Sequence, residues 1–270
     1  MNLKPIYLEL LVKGCSAEMY VNDIALPKVT SPGQPFIARP AHLFLLNGLN
    51  KFELLVEPGS TPSTAREGQV PQKKPEARAR ARLAQYEEGA YVGSDDGEIL
   101  AQLEWHADPA AVPLPFFPIS HTGEFHFKHD LGPWAWQKVD SQVSLERDRA
   151  ELLALTTRLH HAFEAGVPEL ILEIIRPCLE DEVKTLPGES VDGLLSRIAN
   201  DIRGNAGRRD FVRPFEPEQV DFRLLADGRL VDLVYRDWGP ILDTLPQPDG
   251  EIYPLQIRLG KVGGRFQIIR

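Results

Sequence analysis

The sequence predicts a two-domain chain: an all-β sandwich over residues 1–140, followed by an α+β domain with three helices and a curved antiparallel sheet over residues 141–270. Three observations predict it. The hydrophobic rhythm changes once, near Asp140, from two-residue alternation broken by turns to long stretches of period 3.6. The 270 residues are enough for two cores at roughly 150 residues per domain. Beyond the rhythm change, helical stretches precede paired strands, the order of an α+β domain.

In the first domain, residues 3–13 and 17–26 are partly alternating apolar runs joined by Gly14-Cys15-Ser16-Ala17, and Val21-Asn22-Asp23-Ile24 marks a bend. Residues 51–57 place Phe52, Leu54 and Val56 on one face and Lys51, Glu53 and Glu57 on the other. The stretch Ala77-Arg78-Ala79-Arg80-Ala81-Arg82 consists of helix formers but alternates with period two. As a strand it sends all three arginines to one solvated face, and as a helix it would scatter them. Residues 99–105 and 124–128 complete about seven or eight strands. Residues 58–75, with four prolines, read as a mobile surface loop, and residues 106–120 as a proline-rich segment whose apolar side chains must dock somewhere. In its spacing, and on Tyr20-Val21-Asn22-Asp23-Ile24 and Leu46-Asn47-Gly48-Leu49-Asn50-Lys51-Phe52-Glu53-Leu54, the domain resembles jelly-roll sandwiches of the galactose-binding-like kind, some of which bind carbohydrate.

In the second domain, residues 141–165 form one amphipathic helix stopped by Gly166. Pro168 opens a second, whose broad stripe includes Ile171, Ile174, Ile175, Cys178 and Leu179, with Pro177 bending it, and Ser190 caps a third. Asp227-Gly228 is a favoured two-residue hairpin turn. It sets Leu225 opposite Leu230, Leu224 opposite Val231, Arg223 opposite Asp232 and Phe222 opposite Leu233, with Val220, Phe222, Leu224, Val231, Leu233 and Tyr235 on one face. Residues 253–259 and 265–269 pair around a glycine-rich turn. On Leu159-His160-His161-Ala162-Phe163-Glu164-Ala165-Gly166, residues 220–235 and Gly264-Arg265-Phe266-Gln267-Ile268-Ile269, the domain resembles the NTF2-like α+β fold. That resemblance implies a sheet wrapped on a helix around a conical pocket, in a family of enzymes, noncatalytic binding domains and homodimers.

Composition excludes several classes. The net charge of −9 repels phosphate, so nucleic acid is not an expected partner, and the basic cluster Lys73, Lys74, Arg78, Arg80 and Arg82 lacks aromatic interleaving. No apolar run approaches the roughly 20 residues of a membrane span. The start of the chain shows no secretory pattern, and a cytoplasmic location with Cys15 and Cys178 both reduced is expected. Cys178 belongs to a core stripe, while Cys15 at a turn is the more exposed. Glu180-Asp181-Glu182 reads as a solvated helix face. His121, His126 and His129 flank Glu124, but strand alternation keeps His126 and His129 on opposite faces, so neither a metal nor another cofactor is expected.

Two sets of candidate residues remain. His160, Asp221, Tyr235, Asp237 and Arg258 could form an acid/base constellation if they share a pocket in the second domain. Leu114, Phe116 and Phe117 are the partner-binding candidates of the first. With no nucleophile elbow, zinc helix or phosphate loop, the reading is a noncatalytic protein-interaction or assembly protein, with a protein partner or a second copy. The alternatives are a small-molecule enzyme or ligand-binding pocket in the second domain, and carbohydrate binding on Trp105, Trp134 or Trp136.

Overall fold

The computed structural model describes residues 4–26, 28–68, 76–93, 96–108, 110–111, 115–128, 132–186, 188–205, 212–244 and 255–270. It is a mixed α+β structure of three helices and three antiparallel sheets among these residues, with no closed barrel. The chain divides into two compact units, one of Met1–Ser60 with Thr64–Gly132 and one of Thr61–Ser63 with Pro133–Arg270. Among the described residues, no helix is long and apolar enough to cross a membrane.

The first unit carries two sheets. β1 (Ile6–Lys13), β5 (Phe36–Pro40), β7 (Arg78–Gln85) and β8 (Glu98–His106) run in the order β5-β1-β7-β8. β2 (Ser16–Val21), β3 (Ile24–Ala25), β6 (Gly48–Val56) and β9 (Ile119–Phe127) run β3-β2-β6-β9, and β4 (Val29–Thr30) also pairs with β2. Even-numbered Ile6, Leu8, Leu10 and Val12 are buried, as are Phe52, Leu54 and Val56, because one face of each strand lines the core. The bend between β2 and β3 is made by Asn22 and Asp23 at φ of 51 and 61°. Asn22 reaches from that bend to Asn50 on β6 (Nδ2 to Oδ1, 2.9 Å) and accepts the Lys51 N–H, tying the β2–β3 bend to β6.

The arginine-alanine stretch is strand β7, with Ala79, Ala81 and Leu83 buried on its inner face. Its outer face is not uniformly solvated. Arg82 stands opposite Glu9 in the β1–β7 register, is 2% exposed, and donates from Nε to Glu9 Oε2 at 2.9 Å. The Tyr86 hydroxyl donates to the other Glu9 oxygen and accepts from Arg82 and from the Gly93 N–H. Burial first, then the hydrogen bond to Glu9, pushes the Tyr86 phenol above its ordinary value. Cys15 is also more enclosed than expected: its thiol is buried and points to the Arg78 carbonyl. Of the proline-rich residues 58–75, the described part is anchored. Ala65 is buried, and Arg66 grips Glu53 with both amino groups and lies 4.5 Å over the Tyr20 ring. Residues 69–75, which include Lys73 and Lys74, lie outside the described residues.

In the second unit, α1 (Leu145–Ala165), α2 (Glu169–Glu182) and α3 (Val191–Asn205) precede β10 (Val220–Leu225), β11 (Leu230–Tyr235), β12 (Ile257–Val262) and β13 (Arg265–Ile268), which form a meander in chain order. Gly166 ends α1 in the left-handed region, and the Ser190 hydroxyl accepts the Gly193 N–H at the start of α3. At the head of α1, Asp148 accepts the Ser144 N–H at 2.9 Å and binds Arg147 and Lys261, so one carboxylate caps the helix and ties it to β12. Residues 133–140 belong to this unit: the Ala135 N–H donates to Asp181 at 2.6 Å, and Lys184 lies over the Trp134 ring. Asp181 is therefore 1% exposed rather than solvated, bonded also to Lys184 and 3.8 Å from Arg270.

The hairpin register is the one counted from the turn, from Leu225 opposite Leu230 to Val220 opposite Tyr235. Asp227 and Gly228 take the positive φ that such a turn requires, and Ala226 does so as well. Val220, Phe222, Val231, Leu233 and Tyr235 enter one core with Leu152, Leu159, Ile171, Ile175 and Ile202 of the helices. Leu224, beside the turn, keeps its place opposite Val231 but is 42% exposed, while Arg223 and Asp232 on the opposite face are buried.

Two outcomes follow. Replacing Arg82 by alanine strands the Glu9 carboxylate and should lower stability by about 3–5 kcal/mol in urea unfolding, whereas Arg82→Met combined with Glu9→Leu should cost far less; equal losses would contradict the pairing. The guanidinium of Arg147 holds the Asp148 carboxyl well below the ordinary carboxylate range, against its burial. Its contribution is thus full above about pH 4 and is lost as pH falls toward the depressed value. Asp148→Asn should destabilise at pH 7 by an amount that shrinks in acid, and a penalty independent of pH would contradict the assignment.

Candidate functional site

Strand alternation divides the five acid/base candidates. Tyr235 ends β11 on the face turned to the helical core, whereas Asp221 and Arg258 alternate onto the other face. There Asp221 accepts the backbone N–H groups of Phe222 (3.0 Å) and of Ser63, which belongs to this unit. Arg258 is 3% exposed, opposite Asp232 in the sheet register and 3.5 Å from its carboxylate. Both are consumed by structural contacts and do not join the others.

His160, Tyr235 and Asp237 do come together, around residues 212–216, a strap bridged at Val212 to Thr244. The strap's backbone meets two of them: His160 Nε2 lies 2.8 Å from the Arg213 carbonyl, and the Tyr235 hydroxyl donates to the Pro214 carbonyl at 3.3 Å. Its side chains meet all three. The Arg213 guanidinium sits 4.0 Å over the Tyr235 ring and donates to Asp237 Oδ2 at 2.7 Å, and the Phe215 ring packs 5.0 Å from the imidazole. The turn after β11 fits this closely: the Gly239 N–H bonds Asp237, and a side chain at 239 would strike the Arg213 guanidinium, 2.5 Å from where its Cβ would stand. His160 and Tyr235 are each 1% exposed, so the strap closes over the groups that would have to meet a substrate.

The electrostatics follow from the enclosure. Since a carbonyl can only accept, the bonded His160 nitrogen carries the proton, leaving Nδ1 buried, with a lone pair and no protein partner. Burial outweighs that hydrogen bond and holds the imidazole pKa below its usual value; burial also raises the Tyr235 phenol. Two carboxyls beside Arg213 are pushed apart. Burial raises Asp243, whereas for Asp237 burial is outweighed by the hydrogen bonds of Arg213 and Gly239. Arg213 and Asp243 have no sequence signature, since the strap follows no periodic pattern. A further group on α1 went unassigned in the sequence: His160, His161 and Glu164 each offer a ligand atom within 4.8 Å of the other two.

In the first unit, Leu114 lies outside the described residues, as does His129. Phe117 is corrected as a partner contact: it is 3% exposed, edge-on to Trp105 at 6.0 Å, because the segment docks on its own unit. Phe116, its neighbour, is 67% exposed. Trp105, Trp134 and Trp136 are all buried and offer no platform to a sugar. No protein family, no curated protein and no solved structure matches the chain.

The enclosed imidazole should titrate below the roughly 6.5 of a free histidine and show its proton on Nε2 in nitrogen-15 spectra. Its contribution to stability is present above about pH 6.5 and is lost as pH falls through the lowered folded value. A His160 titrating at or above the free value would contradict the closed strap.

Proposed function

We propose that this chain is a noncatalytic protein-interaction or assembly protein, built as a jelly-roll-like sandwich followed by an NTF2-like domain. The observation that carries the reading is Phe116: a fully apolar ring two-thirds in water, held there by a neighbour, Phe117, whose own ring is locked against Trp105. Large exposed aromatic rings on an ordered anchor are what interfaces use as buried centres. The closure over His160 and Tyr235 supports the noncatalytic half of the reading, since proton transfer needs a group within hydrogen-bond reach of a substrate.

One observation favours a second reading, a small-molecule site beside the strap: Asp243 keeps a buried carboxylate oxygen without a hydrogen-bond partner, and burial raises its pKa, while Arg213 is held by Asp237 at 2.7 Å. A thermal-shift ligand screen that finds a compound lost with Asp243→Asn would establish it.

For the interaction reading, a photoreactive phenylalanine analogue at position 116 should crosslink one reproducible protein, either a second copy or a partner, in extract of the source cells. Phe116→Ser should weaken that complex at least tenfold without changing thermal stability. Absence of a specific crosslink, with complex formation untouched by Phe116→Ser, would contradict the proposal.

A further inference from the structure

We infer that the carboxy-terminal end of α1 is a divalent metal site, with His160 Nδ1, His161 and Glu164 as its protein ligands and zinc as the metal that their chemistry fits. Adjacent side chains on a helix diverge by about 100°, which sets His160 and His161 apart along the sequence. Glu164, however, follows the first by four residues and the second by three, so it lies over both, and one ligand atom of each residue lies within 4.8 Å of the other two. Two imidazoles and a carboxylate form the mixed nitrogen and oxygen set that zinc accepts, with one position left for water.

One feature within the cluster and one outside it point to a ligand. The separation of His161 Nδ1 from Glu164 Oε2 is 3.5 Å, close to the roughly 3.4 Å between two vertices of a tetrahedron with ~2.1 Å bonds. The second is the buried state of His160. Its Nε2 proton is engaged by the Arg213 carbonyl, which fixes the tautomer, and Nδ1 is an enclosed acceptor with no protein partner. A metal-binding histidine ordinarily shows that arrangement, one nitrogen to the ion and the other donating to a backbone carbonyl. His161 and Glu164, 67% and 46% exposed, can adjust by rotation and leave an entry path.

The consequence reaches the strap. An ion on Nδ1 polarises the ring and strengthens the hydrogen bond from Nε2 to Arg213, so binding at the helix surface would tighten residues 212–216 around Tyr235 and Asp237.

The test is calorimetric titration of zinc ions into the untagged, chelator-treated full chain. One site per chain is expected, weakened at least tenfold by His161→Ala and several-fold by Glu164→Gln. His126→Ala, which removes an exposed histidine from β9, should leave it unchanged. Because removing the buried His160 would open a cavity, its part is read in the intact chain: zinc should displace the nitrogen-15 resonance of His160 Nδ1 and leave Nε2 protonated. Absence of stoichiometric binding, equal affinity in the His161→Ala and wild-type chains, or an unmoved His160 resonance would each overturn the assignment.

Discussion

The two-residue alternation of the β10–β11 hairpin is the constraint on which the second unit depends. The register set at Asp227 and Gly228 puts Phe222, Leu233 and Tyr235 against the helices, and by the same count sends Asp221 and Asp232 to the opposite face. A shift of one residue would exchange the two sets, turning Asp232 into the apolar core where Leu233 packs and Tyr235 onto the face that holds the buried charges. The hairpin therefore decides which polar groups can meet His160 on α1. It admits Tyr235 and, through the turn beyond it, Asp237, and it excludes Asp221 and Arg258.

What occupies the resulting junction is a strap of backbone rather than an open cavity. Carbonyl groups of Arg213 and Pro214 satisfy His160 and Tyr235, and the guanidinium of Arg213 is shared between an aromatic face and a carboxylate. Buried polar groups are costly unless paired, so these contacts fix the strap more firmly than its irregular sequence suggests. The same logic recurs elsewhere. Glu9 is buried only because Arg82 lies opposite it and Tyr86 reaches its second oxygen, and Asp148 only because a helix start and Lys261 converge on it.

Elements with a strict period were legible from the sequence. Ala79, Ala81 and Leu83 alternate cleanly enough to identify β7 against their helix propensity, and Gly166 and Ser190 mark helix ends by backbone chemistry. Burial of charge was not legible, because it depends on partners distant in sequence. Nothing near Arg82 announces Glu9, and nothing near Asp181 announces the Ala135 N–H. Phe116 and Phe117 are chemically identical neighbours, and only the location of Trp105 separates an anchored ring from an exposed one. The convergence of His160 with His161 and Glu164 was in principle readable from helical spacing, but the state of Nδ1 required Arg213, 53 residues away.

The central claim is that residues 212–216 close over the end of α1 and seal the hairpin's tyrosine from solvent. The most direct measurement is the nuclear Overhauser contact between ring protons of His160 and Phe215, whose centroids lie 5.0 Å apart in the closed arrangement. Strong cross-peaks between the two rings, persisting at dilute protein concentration, are the predicted result. Their absence, with the Phe215 ring averaging freely in water, would mean that the junction is open and that the imidazole faces a cavity after all.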